Sequence, residues 1–479
     1  VRKSVSVPKV QDRSRPRKKI VRSPARKQQI QRVQRVQRRR WALIWLGLTA
    51  VAVVSASAGA LLAFSLSSTP LRQVELTPEE EAVFSQDEAI ATQNLNVPSL
   101  TRPVHILLIG TKVLASDIDE PTEEELGYDA LVNSFDGLAD TLLLLRFDPA
   151  ADKLSVLSIP RDTRAYIEGH GRRKINAANY YGGPALTAKA ISNLLDGVQI
   201  DRYVRVNVQG VEKLIDALGG VEVYVPKDMK YTDNSQHLYI DLKEGEQVLD
   251  GDKALQFLRF RHDRYGDIGR VQRQQVLIRA AIEQLLKPRT LLKVRDILQI
   301  IQSHIDTNLS VEELVALSGF ASKIQRSQVQ MMIVPGDFNG TGEREVSYWL
   351  PNRRKIKEVM AQHFDRGDGD REARSPAYLN VAIQNSTDSA IAAQDLRRTL
   401  RESGYPNVYV EGTWSEPLEM TRIVAQKGDL ESAKALQTAL GFGEVRVEST
   451  GILTSDITIQ LGRDWLEILE ASDRFIESE

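Results

Sequence analysis

The chain begins polar and basic, passes through one long apolar run, turns polar again, and from Val104 alternates short apolar runs with turn residues. The first apolar run, Trp41 to Ser68, contains no charged residue and exceeds the ~20 residues an α-helix needs to cross a hydrocarbon core. It predicts one transmembrane helix, with Trp41 and Trp45 as interface anchors. A cleaved leader would carry a shorter apolar stretch nearer the start. Residues 69–103 mix prolines, acids and small polar residues and read as a stalk, with a short helix after Thr77-Pro78.

Beyond the stalk, "VHILLIG", "TLLLLRFD" and "KLSVLSIP" predict buried strands, the last two joined by a hairpin turn at Asp148–Asp152. "PALTAKAISNLLDG" and "VEKLIDALGG" predict helices with glycine stops, and "RYVRVNV" and "VEVYV" predict strands. "SVEE" at 310–313 matches a capping box, and "MMIVPG" reads as a last strand before residue 336. This alternation predicts an α/β domain with a layered mixed sheet flanked by helices. A polar stretch at 364–376 has linker composition, and "YLNVAIQN", "NVYVEG" and "DITIQLG", with two intervening helices, predict a smaller second α/β unit. The expected order is a basic tail (1–40), a transmembrane helix (41–68), a stalk (69–103), an α/β domain (104–363), a linker (364–376), a second α/β unit (377–466) and a tail (467–479).

Charge sharpens this layout. Residues 1–40 hold sixteen Lys and Arg against one acid, Asp12, which leaves +15 there and −16 over the rest of a chain whose net charge is −1. Basic residues before an apolar span keep the N-terminus cytoplasmic, so the chain is expected in the cytoplasmic membrane with its α/β domains outside. Contact with anionic lipid accounts for the tail better than a nucleic-acid arm does, because no helix-turn-helix pattern accompanies it. No nucleic-acid partner is therefore expected. The absence of cysteine fits an exported domain stable without disulfides and excludes thiol nucleophiles. No phosphate loop, nucleophile elbow or H-E-x-x-H is present, and the six histidines have no ligand spacing.

What remains is arginine and carboxylate chemistry. "FLRFRHDRYGDIGRVQRQQ" (257–275) gathers Arg259, Arg261, Arg264, Arg270 and Arg273. Arg259 and Arg261, two apart in an extended helix exit, share a face, while Arg270 and Gln274 are i and i+4 on the next helix. All four can converge beside a helix N-terminus, which favours anions. Guanidinium groups bind phosphate oxygens in bidentate fashion. The rival reading is a surface ion-pair network with Asp263 and Asp267. A second cluster lies in "SIPRDT" and "KINAANYYGGP", where Arg161 and Asp162 follow a buried strand and Lys174 and Asn176 come next. Asp140, near the start of a strand, suits either a metal-binding carboxylate or a cap.

Taken together, "ADTLLLLRFD", "LSVLSIPRDT", "KINAANYYGG", "ALGGVEVYV", "GDKALQFLRFR" and "DIGRVQRQQ" resemble the LytR-CpsA-Psr proteins of bacterial cell envelopes over about 104–336. Residues 377–466 are similar to the C-terminal domain that often accompanies that module. The resemblance implies a membrane-anchored transferase moving a glycopolymer from a polyprenyl-pyrophosphate carrier onto peptidoglycan or another envelope acceptor. It carries pyrophosphate contact over to Arg161, Arg259, Arg261, Arg270 and Gln274, with Lys174 and Asn176 beside them, and places Asp140 and Arg161 in the catalytic centre. Asp140 matches a magnesium-binding (or manganese-binding) aspartate. Two departures stand out: Lys112 occupies the place of a second metal-side aspartate, which Asp117, Asp119 or Asp129 would have to replace, and Leu138-Ala139 replace an arginine. Asp162, Asp263 and Asp267 are candidates for receiving the acceptor's proton. Arg264 and Arg273 stay open between a supporting and a surface role. A polyprenyl-pyrophosphate-glycan pyrophosphatase and a non-enzymatic membrane-bound regulator are the alternatives.

Overall fold

A computed structural model of the protein describes residues 73–84, 90–91, 98–112, 135–233, 238–260, 266–285, 287, 297, 300, 304–339, 347–364 and 373–476. All of them fall within one compact unit, 70–479. The basic tail and the expected transmembrane helix lie outside the described residues, among which no helix is long and apolar enough to cross a membrane.

The first helix among the described residues, α1 (Pro78–Glu81), is closed by a capping box between Thr77 and Glu80. Within the segment expected as a stalk, Phe84 is buried against Tyr203, with ring centroids 5.2 Å apart. Strands β1 (Val104–Lys112), β2 (Leu138–Asp148) and β3 (Lys153–Ile159) then run antiparallel in sequence order. At the β2–β3 turn the Asp148 carboxylate accepts from the amides of Ala150 and Ala151 at 3.1 and 3.2 Å.

A small hairpin, β4 (Arg164–Ile167) and β5 (Gly171–Lys174), precedes α2 (Ala177–Leu194). Gly182 and Gly183 interrupt α2, Gly183 at φ 58°, and Pro184 restarts it. Next comes β6 (Arg202–Asn207), parallel to β1, then α3 (Val208–Leu218). Four short strands, β7 (Val221–Val225), β8 (Met229–Asp233), β9 (Leu238–Leu242) and β10 (Gly245–Leu249), form the pairs β7–β10 and β8–β9. The helices α4 (Gly251–Arg259) and α5 (Gly266–Leu285) follow. Asp250 caps α4 by accepting from the Lys253 amide at 2.9 Å.

The strands β11 (Ile305–Thr307) and β12 (Val329–Ile333), separated by α6 (Val311–Ala321), complete a mixed sheet of order β11-β6-β1-β2-β3-β12. The "MMIVPG" strand is not the last element before the linker. A further hairpin, β13 (Gly336–Phe338) and β14 (Trp349–Pro351), and α7 (Arg353–His363) come after it.

The C-terminal sheet has order β16-β15-β19-β17-β18, built in chain order from β15 (Val381–Asn385), α8 (Ala390–Glu402), β16 (Val408–Thr413), β17 (Arg422–Ala425), α9 (Leu430–Leu440), β18 (Glu444–Arg446), β19 (Ile457–Leu461) and α10 (Arg463–Ile476). The pattern did not predict β17 and β18, because four- and three-residue strands are too short to show a period. Helix α10, whose Trp465, Leu466 and Leu469 pack on the core at helical spacing, continues into the segment expected as a tail.

Both faces of the central sheet are covered, which is why its strands read as unbroken apolar runs. Leu142 and Leu144 join Ala185, Ala188 and Ile191 of α2 on one face, and Leu143 and Leu145 meet Ile278 and Ile282 of α5 on the other. The first core continues through Met332 and Val334, and through Ile356, Val359 and Met360 of α7, into Val381, Ile383 and Ile457 of the C-terminal sheet. The two sheets also meet directly, since the Met331 amide donates to the Val447 carbonyl at 2.8 Å.

At that seam lies Lys153, whose ammonium burial, reinforced by the charge of Arg146, pushes its pKa down to about 8. The unfolded chain keeps this proton to the ordinary lysine value of 10.5, so the folded state binds fewer protons between those values and stability rises with pH across them. Lys153→Met is therefore expected to raise the melting temperature at pH 7, where the charged form is still imposed on the fold, and to lose that advantage by pH 10. Thermal denaturation of both proteins at the two pH values checks this.

Candidate functional site

The polar cluster of the domain forms where β2 begins and β3 ends. Gly110 pairs with Thr141 and Thr111 with Ala139, so Asp140 is an extra residue without a partner on β1. Such a bulge bends the strand and redirects a side chain. Gly110 permits the close approach, since a Cβ there would stand 3.0 Å from the Thr141 Cβ. On the other side Leu142 faces Ile159, and the same register carried two residues further sets Asp140 opposite Arg161. There the Arg161 Nη1 donates to Asp140 Oδ1 at 2.7 Å, both side chains being about one-fifth exposed.

Next to this pair, Asp162 is buried. Its Oδ1 lies 2.7 Å from Lys174 Nζ and its Oδ2 lies 3.6 Å from Arg161 Nε. The β4–β5 hairpin closes Lys174 back onto Asp162, and the backbone fixes the junction. The Ile175 amide donates to Thr163 O at 2.9 Å, the Asn176 amide to Arg161 O at 3.2 Å, and the Ala139 amide to Asn176 O at 3.1 Å. Asn176 thus joins the cluster through its main chain, with its side chain buried. The result is an alternating row, Asp140–Arg161–Asp162–Lys174, in which each charge has an opposite neighbour.

Helices α4 and α5 bring in the arginine-rich stretch. Gln274 Nε2 donates to the Asp140 carbonyl at 3.3 Å, which docks α5 on the bulge. Arg259 closes α4, and its Nε and Nη2 are buried without a hydrogen-bond acceptor among the described residues. Two guanidinium nitrogens left this way are costly unless a ligand supplies oxygen. Arg261 and the side chain of Arg270 lie outside the described residues, as do Arg264, Asp263 and the Asp267 side chain. Arg273 is not a surface residue. It is 7 % exposed, its Nη2 donates to the Phe260 carbonyl, and its guanidinium lies 5.7 Å from the Phe260 ring centroid. It locks the exit of α4 onto α5 and so sets where Arg259 stands.

Sequence reasoning also missed what holds the far side of α5. Gln272 Nε2 donates to the carbonyls of Thr450 and Gly451 at 3.3 and 2.9 Å, and Arg279 Nη2 lies 2.7 Å from Glu448 Oε2. The C-terminal unit thus grips the helix that carries Gln274. At the same end of the sheet, the backbone of Lys112 pairs with Leu138, two positions before Asp140, and the Lys112 side chain lies outside the described residues. The Asp117, Asp119 and Asp129 substitutes lie outside them too.

Removing Arg273 should unfasten this arrangement. Arg273→Ala leaves the buried Phe260 carbonyl without that donor and opens a cavity, a combination worth about 2–4 kcal/mol. Urea unfolding monitored by tryptophan fluorescence is expected to show a loss of that size.

Comparison with known proteins places these features among relatives. The model of the LytR_cpsA_psr family matches residues 74–365, and that of the LytR cell envelope-related transcriptional attenuator matches residues 378–465. The polyisoprenyl-teichoic acid–peptidoglycan teichoic acid transferase TagV of Bacillus subtilis is 31 % identical over 239 residues, 48 % of this chain and 60 % of that protein. The transferase TagU of Oceanobacillus iheyensis is 32 % identical over 47 % of this chain and 70 % of that protein. The crystal structure of B. subtilis TagV aligns with a TM-score of 0.46 at 27 % identity, covering 55 % of this chain and 98 % of that one.

Proposed function

The chain belongs to the LytR-CpsA-Psr family, and on that premise we propose that it transfers a glycopolymer from a polyprenyl-pyrophosphate carrier onto a cell-envelope acceptor such as peptidoglycan. The observation that carries this reading is the Arg161–Asp140 contact at 2.7 Å, continued through Asp162 to Lys174, together with the Arg259 guanidinium at the end of α4, two of whose buried nitrogens have no acceptor among the described residues. In this reading Arg161, Lys174, Arg259, Arg261, Arg270 and Gln274 contact the pyrophosphate, and Asn176 holds the Arg161 backbone in place.

The chemistry follows from charge. An acceptor hydroxyl attacks the phosphorus joined to the sugar; its new P–O bond forms as the bridging P–O bond breaks, and prenyl phosphate leaves, its freed oxygen taking up the hydroxyl proton. Negative charge gathers on the bridging and equatorial oxygens, where guanidinium groups already fixed in place stabilise it. Asp162, engaged by both Lys174 and Arg161, orients those cations rather than receiving the hydroxyl proton.

A magnesium or manganese ion would be held by Asp140 together with pyrophosphate oxygens. Among the described residues no three acids or histidines converge, so the donor set suits an ion shared with substrate phosphate rather than an all-protein cage. When bound, such an ion supplies charge neutralisation at the phosphoryl oxygens. The basic tail and the apolar run 41–68 anchor the chain in the cytoplasmic membrane, in contact with membrane lipid and with the catalytic unit outside.

Incubation with a lipid-pyrophosphate glycan and peptidoglycan tests the reading, with polymer attached to peptidoglycan as the expected product. Release of free phosphorylated glycan alone would mean hydrolysis and overturn it. Arg161→Ala and Arg261→Ala are each expected to lower transfer by ~10²-fold or more with far-UV circular dichroism unchanged, and an active double variant contradicts the assignment. Chelation with EDTA is expected to abolish transfer and added Mg²⁺ or Mn²⁺ to restore it; transfer that persists under EDTA removes the metal from the scheme.

A further inference from the structure

The β4–β5 hairpin leaves the charged row at Asp162 and returns to it at Lys174. Directly opposed residues of an antiparallel pair share a face, as do residues two apart along a strand. The pairs Arg164–Lys174 and Tyr166–Arg172 therefore form one face, while Ala165 and Ile167 turn into the core. Every outward position is a cation or an aromatic ring. Tyr166 is 54 % exposed, and Arg164 and Arg172 are exposed as well. Tyr348, just before β14, extends the face, with Arg164 and Lys174 at 5.8 and 5.9 Å from its ring centroid. Among the described residues Arg164 and Arg172 make no ion pair. The hairpin's one acid, Glu168, lies at its tip, 3.5 Å from Lys189.

Two cations set directly opposite each other weaken a strand pair, and a sequence chosen for folding alone would avoid them. Local conflicts of this kind mark functional surfaces. We propose that the outward face of the β4–β5 hairpin, Arg164, Tyr166, Arg172 and the adjoining Tyr348, binds the acceptor as a peptidoglycan glycan strand. Sugar rings lie against the tyrosines, and stem-peptide carboxylates meet the guanidinium groups through charge-assisted hydrogen bonds. The donor already has its grip through the pyrophosphate, whereas the acceptor hydroxyl must be held against the phosphorus by something else. The hairpin is the cationic surface joined to the charged row through Lys174. This inference rests on the transferase reading above.

The test uses the full chain in detergent and purified, polymer-free peptidoglycan. Tyr166→Ala/Arg172→Ala and Arg172→Glu are each expected to weaken co-sedimentation with peptidoglycan by roughly tenfold, with circular dichroism unchanged. In the transfer assay they raise the acceptor KM to a similar extent while kcat and the donor KM stay near wild type, and Arg172→Lys keeps most of the binding. Unchanged co-sedimentation of both variants overturns the inference, as does a rise in the donor KM alone, which would give the face to the donor polymer. Wild-type chain that sediments through this face yet transfers nothing sinks the transferase reading and leaves the binding face standing. Transfer by wild type with variants that still sediment sinks the face alone.

Discussion

The contact between Arg161 and Asp140 at 2.7 Å is the constraint around which the domain is arranged. It sits where two apolar strands run out, in a place where either charge alone would face a large desolvation cost. The hairpin register delivers Arg161, and the bulge delivers Asp140 by freeing it from β1. Asp162 and Lys174 extend the pair into a row of two acids and two bases that is neutral by itself. In the proposed reading, an incoming pyrophosphate finds these cations already oriented by their counter-charges, and the arginines of α4 and α5 add the net positive charge it needs.

Those arginines can act only if the two helices stay where they are. Arg273 fastens the exit of α4 to α5, Gln274 fastens α5 to the bulge, and Gln272 and Arg279 fasten it to the C-terminal unit. Helix α5 thus joins the charged row to a second sheet whose residues lie more than 160 positions away in sequence. The shared core through α7 makes that second sheet part of the same solid body rather than a tethered appendage. Through these contacts the C-terminal unit holds the arginine-bearing helix in place.

Much of this architecture was legible in the chain. The apolar runs gave β1, β2, β3, β6 and β7, and the capping box at Ser310 stands as read. Arg161, Lys174, Asn176 and Gln274 all meet around Asp140. What escaped the reading shares a physical cause. The bulge depends on how two strands pair, and Arg273 reads as one more surface cation until Phe260 is placed over it. The docking of α5 depends on contacts too distant in sequence for any local pattern to record. One signal was available and unused: the turn at Asp148–Asp152 fixes the β2–β3 register, and that register alone puts residue 140 opposite residue 161.

Lys112 shows how far charge counting reaches at this site. The resemblance to the family implies an aspartate there, a difference of two charge units at the end of β1, beside the strand that bears Asp140. The alternating row supplies one carboxylate, Asp140, that reaches the pyrophosphate side, since Asp162 is taken up by Lys174 and Arg161. A site with one such carboxylate draws less of its field from a bound cation and more from its own fixed cations. In the scheme proposed here, that shifts the work of stabilising the leaving oxygen from metal towards Arg161, Arg259 and their neighbours. Arg161 then has two tasks, holding Asp140 in the absence of ligand and meeting the phosphate in its presence.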